Sequence, residues 1–426
     1  MSFIFDTLKM NKDLIKRLIT EYQGNTISKA LIERPFFLDD SLNYVFVGLR
    51  RAGKSYLMFQ QIQKLLRAGH SNDEILYFNF EDDRINTLDI GDLDLIKICY
   101  EEMYVHQPIF FLDEIQIVSG WEKFARRLAD QGYRVYITGS NAKMLSSDIA
   151  TTLGGRYMIK NVFPFSLYEY LLAKEIDMNT KNTVYKHNVN IIKSFETYFY
   201  FGGLPEAIQV ADKREWLSNL YQKIFFGDLL SRYQIRNDFA LRVLVRKLAE
   251  SVKQPSSYSR LANVVSSAGK KITTDTVIDY LGYLKDSWLI FPVENFLAKL
   301  ADKESNKKYY FIDNGILNLF LFDSSTALLE NLAAIQLKRL YGNEMYFVQS
   351  NVEIDFYLPE QQTAIQVSYS LKDMDTRKRE INALVQLSKR LEVAKFLIIT
   401  KDEEEIIIED TIQIEVVPVW KWLLHI

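Results

Sequence analysis

The eight residues from Gly48 to Ser55 match the pattern G-x-x-x-x-G-K-S in full. They follow an apolar segment, residues 44–47, and they open a helical pattern that runs from Lys54 to about Leu66. Two glycines at this spacing let the backbone wrap around phosphate groups, so that successive N–H groups point inward as donors. The start of the helix adds a favourable field for an anion. A strand, this loop and a helix in that order therefore predict a phosphate-binding loop.

Different residues of the loop are expected to bind the phosphates of ATP and the Mg²⁺ ion that accompanies it. Lys54 is expected to reach the terminal phosphates, and the hydroxyl of Ser55 is expected to bind Mg²⁺. The alternative, a glycine turn without a ligand, is disfavoured by the flanking strand and helix. The predicted nucleotide-binding residues are Gly48, Arg51, Ala52, Gly53, Lys54, Ser55 and Tyr56.

A second motif follows about 60 residues later in the chain. Residues 109–112 are wholly apolar, as expected of a strand that is buried on both faces of a parallel sheet. Asp113 and Glu114 come directly after it, at the edge where open α/β sheets bind ligands. Asp113 is predicted to hold Mg²⁺ together with Ser55, and Glu114 is predicted to be the base that activates the attacking water.

A third apolar segment, residues 135–137, runs into four small or polar residues, 138–141. A polar side chain there is placed to contact the terminal phosphate or the attacking water. Ser140 or Asn141 is favoured over Thr138 for this role. The alternative is that these residues only cap the next helix, since Ser and Asn are preferred caps.

Two charged features are expected near the same edge. Arg156 follows two glycines and is predicted to stabilise charge on the transferred phosphate, either in its own subunit or in a neighbouring one. The alternative is an ordinary surface arginine. Glu81 and Asp82 end the strand predicted at residues 75–80, and solvated surface acids are the favoured interpretation of this pair.

The order of the predicted elements gives the fold class and a division of the chain. Alternating strands and helices indicate an α/β fold with a parallel sheet covered on both faces. The division has four parts: an ATPase core at residues 1–160, a helical lid at 161–235, a winged helix-turn-helix at 236–304 and a small α/β domain at 305–426.

The third part is interpreted from two predicted helices, residues 257–267 and 273–287, and a predicted strand pair, 288–291 and 296–297. This order is typical of a winged helix. DNA reading by the second helix is disfavoured, because its carboxylates would repel phosphates, and packing or subunit contact is favoured. The carboxylates are those of Asp275, Asp279 and Asp286, and the basic residues nearby are Lys285 and the pair Lys270 and Lys271.

The last part resembles the core of PD-(D/E)xK nucleases, in which acidic residues hold Mg²⁺ and a lysine positions or activates water. Glu330 and Asp355 fit the acidic positions. The triplet on the next strand is Gln366-Val367-Ser368 where Glu-x-Lys is expected, and the closest lysine, Lys372, lies beyond that strand. A nuclease-like fold that has lost its chemistry is therefore predicted.

Composition restricts the classes of function. The net charge is −3 and the pI is near 6.0, so the chain lacks the basic footprint of a dedicated nucleic-acid binder. A single cysteine, Cys99, and four scattered histidines argue against disulfides and a zinc site. No apolar run approaches the roughly 18 residues of a membrane span, and Asp6 and Lys9 interrupt any signal-peptide core. A cytoplasmic protein without membrane contact is expected.

Taken together, the motifs resemble the prokaryotic AAA-type ATPases that carry a C-terminal domain of unknown function with a winged-helix part and a nuclease-like part. The segments that carry the resemblance are residues 48–55, 110–116, 137–140, 155–156, 164–166, 202–206, 313–315 and 353–356.

The resemblance implies ATP binding and hydrolysis, and it leaves the substrate and the partner open. We predict an Mg²⁺-dependent ATPase whose hydrolysis switches the conformation of the lid and the C-terminal domains. The alternative is a nucleotide-gated module that binds a protein or DNA with negligible turnover. Assembly into a homo-oligomer is left open.

Overall fold

The computed structural model describes residues 12–27, 29–85, 88–141, 144, 147–176, 184–269 and 271–425. The chain separates into two compact units, the first ending at Val162 and the second beginning at Phe163. Asp6, Lys9 and Lys270, which entered the sequence-based expectations, lie outside the described residues. Within the part of the chain that the structure describes, no helix is both long and apolar enough to cross a membrane.

The first unit is built on a parallel sheet. Its strands are β1 (Asn43–Val47), β2 (Ile75–Asn79), β3 (Ile109–Asp113), β4 (Val135–Gly139) and β5 (Tyr157–Asn161). Among the described residues the sheet has five strands in the order β2-β3-β4-β1-β5. All residues of β3 and β4 are buried, as expected of parallel strands covered on both faces. The predicted parallel α/β sheet is confirmed.

Helices connect these strands. They are α1 (Lys12–Ile27), α2 (Lys54–Arg67), α3 (Ile90–Met103), α4 (Trp121–Asp130) and α5 (Ser147–Leu153). The helix predicted to follow the phosphate-binding loop is confirmed as α2. Its apolar side chains Leu57, Ile62 and Leu65 are buried at helical spacing, so the loop is attached to an element that is anchored in the core.

The strand register determines which residues share an edge. Val47 at the end of β1 pairs with Gly139 at the end of β4. Asn79 at the end of β2 pairs with Asp113 at the end of β3. Because the strands are parallel, the phosphate-binding loop and the polar residues that follow β3 and β4 meet at the carboxyl edge of the sheet.

The second unit contains a long mixed sheet. Its strands are β6 (Ser256–Ser257), β7 (Ile290–Asn295), β8 (Asn306–Phe311), β9 (Tyr346–Gln349), β10 (Glu353–Leu358), β11 (Thr363–Val367), β12 (Lys395–Thr400), β13 (Glu405–Glu409) and β14 (Ile412–Pro418). In the described ranges the order is β13-β14-β12-β11-β10-β9-β7-β8-β6. β7 pairs with β8 in antiparallel fashion and with β9 in parallel fashion. Strands from both sides of the predicted boundary between residues 304 and 305 therefore belong to one sheet.

Helices flank this sheet in the chain order. They are α6 (Leu167–Ala173), α7 (Val184–Phe201), α8 (Lys213–Lys223), α9 (Asp238–Glu250), α10 (Tyr258–Ser267), α11 (Thr274–Asp286), α12 (Leu300–Ser305), α13 (Asn314–Asn318), α14 (Ser325–Tyr341), α15 (Met374–Ser388) and α16 (Val419–Leu424). A π-helical segment, Ile224–Ser231, continues from α8. The two helices predicted at residues 257–267 and 273–287 are confirmed as α10 and α11.

The strand predicted at residues 296–297 is wrong. β7 ends at Asn295, and its antiparallel partner is β8. The ring of Phe296 packs edge-on against Tyr346 at 5.5 Å and Tyr357 at 4.9 Å between centroids. The apolar character of this position therefore serves packing beside the sheet and not a strand.

A buried carboxylate ties two turns of the second unit together. Asp313 accepts hydrogen bonds from the N–H groups of Gly203 at 2.8 Å, Gly315 at 2.9 Å and Ile316 at 3.2 Å. A Cβ atom at Gly202, whose φ is +74°, would lie 2.1 Å from an oxygen of Asp313, so only glycine fits there. Burial raises the pKa of Asp313 to about 6, even though the three N–H donors oppose this shift.

Candidate nucleotide-binding site

The shape of the loop between β1 and α2 depends on its two glycines. Gly53 has φ 92°, in the left-handed region that glycine adopts without strain. A Cβ atom on Gly48 would lie 2.2 Å from the carbonyl oxygen of Val162. Each glycine of the motif is therefore required by the backbone, one for its conformation and the other for a close approach.

Lys54 lies inside this loop and is 4% exposed. Its ammonium group donates to the carbonyl oxygens of Gly48 at 3.3 Å and Leu49 at 3.2 Å. It also lies 3.4 Å from Oε1 of Glu114. A phosphate group in the loop would compete with these partners for the lysine, because a charge-assisted bond to an anion is stronger than a bond to a carbonyl oxygen.

Asp113, at the end of β3, receives hydrogen bonds from hydroxyl groups on three neighbouring elements. Ser55 Oγ donates to Oδ1 at 3.1 Å, Tyr77 donates to Oδ2 at 2.5 Å, and Thr138 donates to Oδ1. Burial and the adjacent charge of Glu114 raise the pKa of Asp113 despite these donors. The contacts hold the carboxylate beside the start of α2.

Glu114 is held differently, and its backbone has φ 56°. Its carboxylate accepts hydrogen bonds from Gln116 Nε2 at 2.5 Å and from the N–H of Ser140 at 3.2 Å. Burial would raise the pKa of Glu114, but the charge of Lys54 and these two donors outweigh burial, so the pKa is lowered. Glu114 is therefore ionised at neutral pH.

Thr138, near the end of β4, and Ser140 and Asn141, which follow the strand, contribute in ways that the sequence did not indicate. The hydroxyl of Thr138 bonds to Asp113 and accepts the N–H of Glu114 at 2.8 Å. Ser140 offers its N–H to Glu114, and its buried hydroxyl has no hydrogen-bond partner among the described residues. Asn141 is also buried. Thr138 thus makes the direct contacts to the acidic pair, and a contact of Ser140 with a phosphate stays a prediction.

The remaining members of the predicted nucleotide-binding set have different environments. Arg51 has φ 63° and an exposed side chain. Ala52 is buried, and its carbonyl oxygen accepts a hydrogen bond from Arg34 at 3.1 Å. Tyr56 is 51% exposed, and its ring packs edge-on against Phe59. Tyr56 therefore presents an aromatic surface beside the loop.

Arg156 does not lie at the nucleotide edge of its own unit, so this part of the expectation is wrong. It directly precedes β5, and its carbonyl oxygen accepts a hydrogen bond from Asn43 at the start of β1. Its guanidinium group is ion-paired with Asp130. The length of β1, about 16 Å, separates this position from the loop. A role in a neighbouring subunit stays a prediction.

Sequence reasoning missed several supporting residues. Tyr77 carried a usable signal, since the pairing of β2 with β3 places it on the same face as Asp113. The sequence gives no comparable signal for Gln116 and Arg34, because their contacts depend on turns whose geometry the sequence does not reveal. Glu81 is exposed, as the interpretation as a solvated acid expects, and it also pairs with Arg50 of the loop at 3.0 Å.

A second charged centre lies in the second unit, around the predicted acidic positions. Glu330 and Asp355 do lie close together, and the lysine between them is Lys308 on β8. Its Nζ is 3.1 Å from Oε1 of Glu330 and 3.2 Å from Oδ1 of Asp355. Lys372 is the nearest lysine to the triplet along the chain, but the lysine at the two acids in space is Lys308, because the sheet brings β8 beside residues far along the chain.

The triplet at the end of β11, whose last residue Ser368 follows the strand, bonds mainly to backbone groups. The amide group of Gln366 accepts the N–H of Asp355 at 2.9 Å and donates to the carbonyl oxygen of Glu353 at 3.1 Å. Ser368 donates to the carbonyl oxygen of Ser370. Throughout the described ranges, no group of three or more His, Cys, Asp or Glu side chains is arranged to hold a metal ion.

Comparison with known proteins places these features in a family. Residues 41–171 match the family model of an AAA domain, and residues 192–326 match a domain of unknown function, DUF8612. The uncharacterized protein MJ1544 of Methanocaldococcus jannaschii is 35% identical over 398 residues, which are 89% of this chain and 88% of that protein. An uncharacterized protein of Haemophilus influenzae is 28% identical over 94% of this chain and 100% of its own length.

Among solved structures, the Walker-type ATPase PABY2304 of Pyrococcus abyssi covers 73% of this chain and 96% of its own, with 14% identity and a TM-score of 0.39. The family assignment depends on the sequence matches. The chain belongs to the family of the M. jannaschii protein, and it carries an AAA domain of the P-loop ATPase type followed by a domain of unknown function.

Proposed function

We propose that the first unit binds ATP with Mg²⁺ and hydrolyses it, and that this cycle switches the conformation of the helical lid and the C-terminal parts. One observation carries the proposal: Lys54, Ser55 and the carboxylates of Asp113 and Glu114 converge at the carboxyl edge of the parallel sheet. Charged groups of both signs at this edge suit a phosphate chain that is bound together with a cation.

The groups around Ser55 and Asp113 have the chemistry that Mg²⁺ requires. The hydroxyl and the carboxylate lie 3.1 Å apart and are hard oxygen ligands, and such sites leave other coordination positions to substrate phosphates. Bound there, Mg²⁺ would neutralise charge on the phosphates. Tyr77 and Thr138 orient Asp113 through their hydroxyl groups, as supporting residues of metal ligands commonly do.

Glu114 is the candidate base for the attacking water. Its lowered pKa keeps it ionised, while burial raises the pKa of the adjacent Asp113. Neighbouring carboxylates whose pKa values are shifted in opposite directions are suited to separate roles. Gln116 and the N–H of Ser140 hold the carboxylate of Glu114 in one orientation, which favours a defined water position.

Lys54 offers a way for nucleotide binding to affect Glu114. It now divides its charge between carbonyl oxygens of the loop and Glu114. Transfer of the lysine to a phosphate would release Glu114 from its cationic partner and leave it with Gln116 and Ser140. This exchange is the proposed first step of the conformational switch.

The test is steady-state release of phosphate from ATP with Mg²⁺, combined with a nucleotide-binding titration. Glu114→Gln is expected to lower turnover by at least about 10²-fold while ATP affinity stays within about threefold, because the base is lost and the phosphate contacts remain. Glu122→Gln, on the outer part of α4, is the matched control. Undiminished turnover in Glu114→Gln would contradict the assignment of the base.

Absence of turnover in the wild type would instead favour the nucleotide-gated binding module. That alternative predicts a change in protease sensitivity when ATP is added, without multiple turnover. The same assay with duplex DNA addresses the partner. The order α10, α11, β7 and β8 is compatible with the proposed winged helix, and stimulation by DNA would support a DNA-acting switch. Turnover that is indifferent to DNA would favour a protein partner.

A further inference from the structure

Lys308 is a fully buried cation in the second unit, with 0% of its side chain exposed. Two carboxylates approach its ammonium group, Glu330 at 3.1 Å and Asp355 at 3.2 Å. The hydroxyl of Tyr310 donates to the same oxygen of Glu330 at 2.7 Å. Burial alone would lower the pKa of Lys308, but the two carboxylates outweigh burial and raise it. The lysine is therefore charged at neutral pH.

The other polar groups of this centre are also occupied. Oδ2 of Asp355 accepts the N–H of Val367 at 2.9 Å. The oxygen of Gln366 is used by the N–H of Asp355. The carboxylate atoms that face each other across the centre, Oε1 of Glu330 and Oδ1 of Asp355, share Lys308 as their cation.

Lack of access from solvent does not explain why Glu330 and Asp355 bind a lysine and not an ion from solution. Glu330 and Asp355 line an open cavity of about 670 Å³, together with Glu353 and Glu380. Ions from solvent therefore have a path to both carboxylates. The remaining obstacle to a divalent ion is the ammonium group that already lies between them, because two cations at this distance repel each other strongly.

We propose that Glu330 and Asp355 form a cation site whose occupant is the ammonium group of Lys308, and that this lysine excludes the divalent ions that the same carboxylates would otherwise bind. The chain thus supplies its own counter-ion at a centre that otherwise has the carboxylate oxygens preferred by Mg²⁺ or Mn²⁺. The centre is held together without a metal.

The proposal predicts a gain of function when the lysine is removed. Lys308→Met keeps an unbranched side chain that is one atom shorter and removes its charge. In the full chain without nucleotide, calorimetric titration with Mn²⁺ is expected to show one additional bound ion in Lys308→Met relative to the wild type. Lys308→Met combined with Asp355→Asn is expected to weaken that binding by at least about tenfold. Lys307→Met is the matched control. It removes the ion pairs that the neighbouring lysine forms with the partly exposed Glu294 and the exposed Glu304.

Thermal unfolding gives a second measurement, since the buried Glu330 and the partly buried Asp355 destabilise the variant when they have no cation. Mn²⁺ is expected to raise the Tm of Lys308→Met by about 5 °C and to leave the variant that also carries Asp355→Asn unchanged. A folded Lys308→Met that binds no additional Mn²⁺ would overturn the proposal. An unfolded Lys308→Met that Mn²⁺ fails to refold would also overturn it. So would binding of Mn²⁺ by the wild type at a site that is lost in Asp355→Asn.

Discussion

Lys54 in the first unit and Lys308 in the second are both buried cations beside carboxylates, but they are held by different kinds of partner. Lys54 divides its contacts between loop carbonyl oxygens and Glu114, at 3.2 to 3.4 Å. Lys308 is placed between two carboxylates, Glu330 and Asp355. Two of the three Lys54 partners are carbonyl oxygens, which a phosphate is expected to displace, whereas Lys308 lies between two carboxylates.

Their positions in the secondary structure strengthen this difference. Lys54 is the first residue of α2, at the end of a glycine loop, where N–H groups are available to an incoming anion. Lys308 lies within β8, between neighbouring strands. Similar charges thus occur in a candidate binding centre at a helix start and in an ion-pair centre within a sheet. Buried charge by itself does not identify an active site.

The largest expected difference between the two centres is in stability. Lys308→Met is expected to lower the free energy of unfolding by about 3–5 kcal/mol, because the buried Glu330 and the partly buried Asp355 lose their cation. Lys54→Met is expected to cost about 1 kcal/mol, since Glu114 keeps its bonds from Gln116 and Ser140. Urea denaturation followed by tryptophan fluorescence compares them. Equal losses would contradict the contrast between the two lysines.

Asp313 shows what a buried carboxylate does without a lysine, and it predicts a pH dependence. Its pKa is raised by burial to about 6 from 3.8, so the folded state binds a proton more tightly than the unfolded state. The contribution to stability is therefore full below about pH 4 and is lost as the pH rises through 6, by up to about 3 kcal/mol.

Urea denaturation between pH 4 and 7 measures this contribution as the difference between the wild type and Asp313→Asn. The exposed Asp323 provides the control variant, Asp323→Asn. A difference that stays constant over this range, or that grows in favour of the wild type with rising pH, would show that the carboxylate is not proton-linked as expected.

The smallest effect is expected at Arg156. In protein that is kept dilute enough to be monomeric, Arg156→Ala should change turnover by less than about twofold, because the residue lies at the amino edge of its sheet. An arginine that stabilises the transferred phosphate contributes about 10³–10⁵-fold. Asp130→Asn, which removes its ion-pair partner, is the companion variant. A large loss only at concentrations that allow assembly would support action in a neighbouring subunit.

The nucleotide centre was largely predictable because its signals are local. Gly48 to Ser55 form one continuous motif, and Asp113 follows an apolar strand, so strand polarity alone brings them to one edge. Arg156 was misplaced because β5, the strand that follows it, was not predicted from the sequence. In a parallel sheet, a residue that precedes a strand lies at the opposite edge from one that follows a strand.

The second centre was not predictable for a different reason. Lys308 precedes Glu330 by 22 positions and Asp355 by 47 positions. Their meeting depends on the pairing of β8 with β7 and of β7 with β9, and no local pattern specifies these pairings. The nuclease-like pattern places the lysine directly after β11, at the position of Ser368. The sheet supplies the lysine from β8, an earlier strand of the same predicted part at residues 305–426.

The continuity of that sheet limits how the second unit can be divided by evolution or by an experimenter. A fragment that begins at residue 305 would keep β8 and Lys308 but lose β6 and β7, which pair with β8. Such a fragment would have unpaired backbone groups on both sides of β8, and a strand in this condition favours association with other chains. Residues 305–426, predicted to be nuclease-like, are therefore not a separable domain, and recombination that preserves their fold has to include β6 and β7 as well.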